Sequence, residues 1–167
     1  MSEITMWNVD ASDYFKDVAK VIKKTAKGKT IIYVALLRPY DQVAAVLKKA
    51  GIKTDSLFFI DCTSGTDGRR EEKKNVIFVN GQQDLTGIGI AVSQALKNIE
   101  GKKLVLMGSI STLFLYNDTG LVQRFLNFFV NKLRQEDIDG ILVTTKDDPN
   151  KDAIGVIKTF CDEVKEI

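Results

Sequence analysis

The stretch that most constrains this chain is Lys103 to Tyr116, KLVLMGSISTLFLY. Leu104 to Met107 are apolar without alternation, so a strand here buries both faces and needs helices above and below it. The run then breaks into Gly108, Ser109, Ser111 and Thr112 before returning to Leu113, Phe114 and Leu115. That pattern describes a central strand whose carboxyl end opens into a crevice, where α/β folds place their ligands. No acid stands at the end of this strand, and the chain contains no histidine.

The rest of the pattern supplies the neighbours such a strand needs. Ile4 to Val9 reads as a first strand, and Asp10 or Ser12 can cap a helix running to about Thr25. Phe15, Val18, Ala19 and Ile22 share one face of that helix, and Gly28 ends it. Thr30 to Leu37 is a second strand, apolar on both faces. Pro39 opens the next helix, whose buried stripe is Val43, Ala44, Val46, Leu47 and Ala50, and Gly51 stops it. Leu57 to Ile60 is a third strand, ending in Asp61 and Cys62. Thr63 to Asn75 holds no apolar residue and reads as a mobile surface loop.

Val76 to Val79 is a short fourth strand, followed by a helix from about Leu85 to Asn98. Beyond the central strand, Thr119 is read as the cap of the longest helix, about Gly120 to Gln135. Its Leu121, Val122, Phe125, Leu126, Phe128, Phe129 and Leu133 form a broad apolar surface, with the phenylalanines assigned to the core rather than to an interface. Asp139 to Thr145 is another buried strand. The spacing of the last segment permits one helix to the end, or a helix to about Phe160 and then a strand over Glu163 to Ile167. Strands alternating with helices predict right-handed parallel crossovers, hence one three-layer α/β/α sandwich with a mainly parallel sheet.

Composition excludes several function classes. At 167 residues the chain suits one domain, able to bury roughly 70% of its unfolded surface. Its 24 basic and 22 acidic residues leave a net charge of +2, which creates no strong field toward nucleic acid or an anionic membrane. The bases are interspersed with acids and form no aromatic-basic stripe, so nucleic-acid binding is disfavoured. Cys62 and Cys161 are far apart in sequence, and without histidine a zinc site is not expected. Two free thiols suit a reducing compartment, and MSEITMWNVD lacks the basic and apolar regions of an export signal. No apolar run approaches the ~18 residues of a membrane span. A cytoplasmic protein is the expectation.

Two motifs nearly form. Gly28-Lys29-Thr30 has the ending of a phosphate-binding loop, but Lys23 stands where the first glycine belongs. The three residues also run from a helix into a strand, the reverse of the order that presents free N–H groups to phosphate. Gly87-Ile88-Gly89 resembles the start of a dinucleotide fingerprint, but Val92 holds the third glycine position; close packing of the helix on the sheet is the better account. Ser109, Ser111 and Thr112 could act as nucleophiles only with a base; there is no histidine to serve, a lysine is conceivable, and nothing in the spacing selects one. Asp61, at a strand end, suits either a polar pocket or a loop cap.

The order of pieces resembles KaiC-type ATPases of the RecA superfamily. Ile31 to Leu36, then a helix and Gly51, then LFFIDC (Leu57 to Cys62), resemble the second and third strands of that family. LVLMGSISTLFLY (Leu104 to Tyr116) is similar to its strand that ends in an aspartate followed by Ser-Leu-Ser. The long helix with Arg124 and Phe125, the strand GILVTT and the segment FCDEVKEI continue the order, and FCDEV favours the helix-then-strand ending. The chain looks closest to archaeal KaiC-like proteins that lack a phosphate-binding loop.

The departures shape the functional expectation. MWNVDASDYFKDV occupies the phosphate-loop position with Asp10, Ser12 and Asp13 and no glycine-rich turn, and Gly108 stands where the magnesium-anchoring aspartate belongs. Phosphoryl transfer depends on positioning and charge neutralisation, so losing both elements implies no ATP hydrolysis. The expectation is a non-catalytic RecA/KaiC-like domain with no cofactor, acting as an interaction or regulatory module. By resemblance, its partner is a second copy of itself or an active KaiC-type ATPase. The alternative is a small-ligand or nucleotide-binding domain without hydrolysis, using Arg38, Asp61, Thr63, Gln82, Ser109, Ser111 and Thr145 at the strand carboxyl ends.

Overall fold

The computed structural model describes residues 1–65 and 74–167. The expected mobile loop over Thr63 to Asn75 falls largely on 66–73, outside the described residues.

Seven parallel strands form one sheet: β1 (Ile4–Val9), β2 (Thr30–Ala35), β3 (Leu57–Asp61), β4 (Val76–Phe78), β5 (Lys103–Gly108), β6 (Asp139–Thr145) and β7 (Glu163–Glu166). Their order is β4-β3-β2-β5-β6-β1-β7, which puts the apolar Leu104 to Met107 in the middle. All four of those side chains are buried. The helices are α1 (Tyr14–Thr25), α2 (Tyr40–Lys49), α3 (Leu85–Asn98), α4 (Leu113–Tyr116), α5 (Thr119–Gln135) and α6 (Lys151–Lys158). Helices α1 and α2 cover one face, through Phe15, Val18, Ile22, Val43 and Leu47 against Tyr33, Phe59, Leu104 and Leu106. Helices α3 to α6 cover the other, where Ile88, Val92, Leu126, Phe129 and Ile157 meet Ile32, Val105, Met107 and Leu142. This is the expected three-layer architecture. It follows from period-2 side-chain alternation in strands that are apolar on both faces.

Several boundaries differ from the sequence reading. Strand β2 stops at Ala35, and Leu37 is exposed past its end. Asp10 caps a 3-10 turn, Ala11–Asp13, before α1 begins, its side chain accepting from the Ser12 N–H. Thr119 is the first residue of α5 rather than its cap; Asp118 precedes it in an extended conformation, without a side-chain capping bond. The segment after β5 is a 3-10 turn, Ile110–Thr112, running into α4.

The chain ends as a helix and then a strand. Strand β7 pairs with β1, Thr5 opposite Glu163 through Asn8 opposite Glu166. Arg134 on α5 anchors its approach, donating to the Asp162 carboxylate at 2.9 Å and to the Phe160 carbonyl at 2.8 Å.

The glycines of α3 do not pack against the sheet, contrary to the sequence reading. A Cβ at Gly87 would collide with the Asp84 carboxyl group, which caps α3 by accepting the Gly87 N–H at 2.9 Å. A Cβ at Gly89 would meet nothing within 4 Å, because this residue faces outward. Phe128 and Leu121 of α5 also point away from the core, being 66% and 44% exposed. The core reading of that helix's phenylalanines therefore holds at Phe129 and fails at Phe128.

Candidate functional site

The carboxyl ends of the strands carry the residues expected to line a crevice, and the structure separates them into two groups. On the β2–β3 side, Asp61 is fully buried at the end of β3. One carboxylate oxygen accepts the Thr63 N–H at 2.8 Å, the Thr63 hydroxyl at 3.1 Å and the Ser64 N–H at 3.1 Å. The other accepts the Ser64 hydroxyl at 2.6 Å and the Tyr40 N–H, at the start of α2, at 3.1 Å. With so many donors turned on it, Asp61 clamps the turn after β3 to α2. It is the loop cap of the two roles the sequence left open, and Thr63 belongs to the same clamp.

Gln82 and Arg38 stand nearby with other tasks. The Gln82 side-chain amide donates to the Leu36 carbonyl at 3.0 Å, and the Gln82 backbone carbonyl accepts from the Asn117 side chain at 2.9 Å, tying three loops together. Arg38 is exposed, with its guanidinium 4.9 Å from the centre of the Phe15 ring. No pattern in the chain points to Asn117, which also donates back to the Leu113 carbonyl.

The second group lies at β6. Ser111 donates to Asp148, a buried acid that also accepts the Asn150 N–H at 2.8 Å and so shapes the turn into α6. Thr145 lines a cavity of about 440 Å³ with Asn8, Lys146, Asp147 and Lys151. Ser109 is 4% exposed, and its hydroxyl has no hydrogen-bond partner among the described residues. Among the described residues, the cavity at Thr145 takes in none of the other six candidates.

The two positions matched to phosphate and magnesium binding are both filled from within the chain. After β1, the Asp10 N–H donates to Asp17 at 3.1 Å, the Ser12 N–H and hydroxyl donate to Asp10 at 3.0 and 2.8 Å, and the Asp13 N–H donates to the Asp10 carbonyl at 3.2 Å. The Ser12 bonds hold the Asp10 carboxyl below the usual carboxylate range. At the end of β5, Gly108 lies beside Val143 of β6, and the Gly108–Ser109 peptide is cis. A Cβ at Gly108 would fall on the Tyr14 hydroxyl and within 2.9 Å of the Val143 Cβ. Tyr14 is 6% exposed, and its hydroxyl has no partner among the described residues. Burial, and then the neighbouring Tyr33, push that phenol well above its usual range, so it stays neutral. Nothing in the spacing marks Tyr14 or Asp17 in advance.

Neither cysteine is poised as a nucleophile. Burial first, and then Asp61 and Asp84, raise the Cys62 thiol far above neutrality. Cys161 is pushed up to about 11, chiefly by burial. Both therefore remain protonated thiols near pH 7. Among the described residues, no group of His, Cys, Asp or Glu side chains could hold a metal ion. No described helix is long and apolar enough to cross a membrane.

A family model described as "Family of unknown function (DUF7504)" matches residues 19–167. The chain belongs to the DUF7504 family. The matched part of this DUF7504 chain starts inside α1 and leaves β1, the 3-10 turn and Tyr14 outside it. No curated protein matches the sequence.

Three solved structures from Pyrococcus horikoshii are similar to this DUF7504 chain. The KaiC-like protein PH0186 has a TM-score of 0.70 at 14% identity, over 98% of this chain and 70% of that one. The uncharacterized protein PH0321, solved in complex with an unknown peptide, has a TM-score of 0.67 at 15% identity, over 98% and 76%. PH0250 has a TM-score of 0.64 at 11% identity, over 99% and 81%. At such identities the likeness is one of fold: this member of DUF7504 has a KaiC-like, RecA-type fold.

Proposed function

We propose that this DUF7504 chain is a non-catalytic relative of the KaiC-like ATPases, kept as a protein-interaction or regulatory module. The observation that carries the reading is the Tyr14 hydroxyl beside Gly108. The resemblance puts a magnesium-anchoring acid at position 108, and Tyr14 and Val143 leave no room there for even a Cβ. The loop after β1 supports the same reading, since the N–H groups of Asp10, Ser12 and Asp13 are taken up by Asp17 of α1 and by the carboxylate and carbonyl of Asp10. Phosphoryl transfer needs those donors for the phosphates and an acid for the metal. A partner, in this reading, is another polypeptide: a second copy of the chain or a KaiC-type ATPase. That PH0321 was solved with a bound peptide is in keeping with an interaction role on this fold.

The test is magnesium-dependent ATP turnover and ATP affinity in the full chain. The expected result is turnover at the buffer blank and no saturable ATP binding. Turnover above the blank that is abolished by substituting Lys151 or Thr145 would overturn the proposal.

A second reading rests on the cavity beside Thr145. Its lining sets Lys146, Lys151 and Lys158 against Asp147, Asp148 and Glu166, together with Asn8, suitable for a small polar ligand carrying both donors and acceptors. Thermal-shift measurements with nucleotides and common metabolites, with and without magnesium, separate the two. A stabilising ligand whose effect disappears in Lys151→Ala favours this second reading.

A further inference from the structure

The outer face of α3 and α5 encloses a groove of about 670 Å³ that takes no part in the strand-end sites. Its walls are Ile90 on α3 and Leu121, Phe125 and Phe128 on α5, and its floor includes Gly89. Ile90, Leu121 and Phe128 are 55%, 44% and 66% exposed, so three large apolar side chains along one groove face solvent. Single exposed apolar residues are ordinary; a contiguous set around a concave floor marks a docking surface. The absence of a side chain at Gly89 matters here, because the outward space it leaves is part of the groove.

The charges around the groove have one sign. Lys97, Arg124 and Lys132 line it, and no acid does among the described residues. Lys132 is 3.7 Å from Glu136, whereas Lys97 and Arg124 have no carboxylate partner among the described residues. Two copies meeting symmetrically through this face would set Lys97 and Arg124 against their own copies, which the apolar contact would have to overcome. A partner with acids flanking an apolar stripe meets no such opposition. Two helices forming a trough suit a third laid between them, with apolar anchors at i, i+3 or i+4, and i+7.

We propose that the α3–α5 groove binds an acidic amphipathic helix of a different polypeptide, seated over Phe128 and Leu121 and ion-paired to Arg124 and Lys97. This rests on the interaction-module reading and narrows it, from a second copy or another protein to another protein of acidic character.

The probes are two synthetic 18-residue helices with the same Leu/Phe stripe, one flanked by glutamates and the other by lysines. Binding to the full chain is measured by fluorescence anisotropy, with backbone NMR shifts to locate the contact. The glutamate helix should bind at least about tenfold tighter than the lysine helix, and lose affinity as salt is raised from about 50 to about 500 mM. Shifts should map to α3 and α5. Phe128→Ser should weaken binding about tenfold or more. Arg124→Glu should reduce the preference for glutamates; both side chains are exposed, so an unchanged melting temperature verifies the fold. Equal binding of the two helices, no binding, or shifts elsewhere would overturn the proposal. So would a dimer in sedimentation equilibrium that Phe128→Ser dissociates, which would assign the groove to a second copy. ATP turnover, measured separately, bears on the non-catalytic reading and leaves the groove untouched.

Discussion

The hydroxyl of Tyr14 lies where a side chain at Gly108 would have to begin. These residues come from the start of α1 and the end of β5, the elements matched by resemblance to phosphate and metal binding. Changes at the two positions are thereby coupled, and each can be understood only with the other.

Gly108→Ala should destabilise the chain by about 1–3 kcal/mol, because the new methyl group overpacks against Tyr14 and Val143. Tyr14→Phe should be neutral, or stabilising by up to about 1 kcal/mol, since it removes a buried hydroxyl that has no partner among the described residues. The double variant should recover part of the Gly108→Ala loss, as expected for side chains in contact. Urea denaturation of the four proteins measures the cycle; strict additivity would refute the contact.

Gly108→Asp should not restore ATP hydrolysis. It meets the same crowding and adds a carboxylate at the end of a buried strand, so the expected cost exceeds that of Gly108→Ala. Activity in this variant, assayed with magnesium and ATP, would contradict the crowding argument.

Asp61→Ala should cost about 3 kcal/mol, since it strands the N–H groups of Tyr40, Thr63 and Ser64 around a lost acceptor. Asp61→Asn should cost less, because one amide oxygen still accepts. Chemical denaturation ranks the three proteins, and an alanine variant as stable as the parent would show that the clamp is dispensable.

Acid should loosen the β1–β7 side of the sheet first. Asp139 is partly buried, which opposes ionisation, but the bonds from Lys29 at 2.6 Å and from the Glu3 N–H hold its carboxyl below the usual range. The Ile4 N–H, and then Arg134, do the same for Asp162. Both groups have depressed folded-state values, so their contribution is fully present above the unfolded carboxylate range and fades as pH falls below about 4. Asp139→Asn should lose about 1 kcal/mol at pH 7 and flatten the acid limb of stability against pH. Hydrogen exchange at β1 and β7 as a function of pH would locate the effect, and an unaltered acid limb in the variant would contradict it.

The sequence by itself determined the layers. Strands apolar on both faces, Leu104 to Met107 above all, leave no stable arrangement except a sheet covered on both sides, and the helical stripes supply the covers. It also determined the end of α2 at Gly51 and the turn after α1 at Gly28, whose φ values of 90° and 72° favour a residue without a Cβ. What periodicity could not determine was which polar groups meet. Thr63 and Asp61 are neighbours in the chain, so their clamp was legible as one of two local options. Ser111 and Asp148, 37 residues apart, and Tyr14 and Gly108, in different layers, meet only through the parallel crossovers. For the same reason the expected crevice divided in two, because strand order places β3 and β6 on opposite sides of β2 and β5. The outward turn of Phe128 was decided last. A helix with apolar residues over most of its circumference can bury only the arc facing the sheet, and the rotation of α5 on β5 and β6 selected Leu126, Phe129 and Leu133 for that arc.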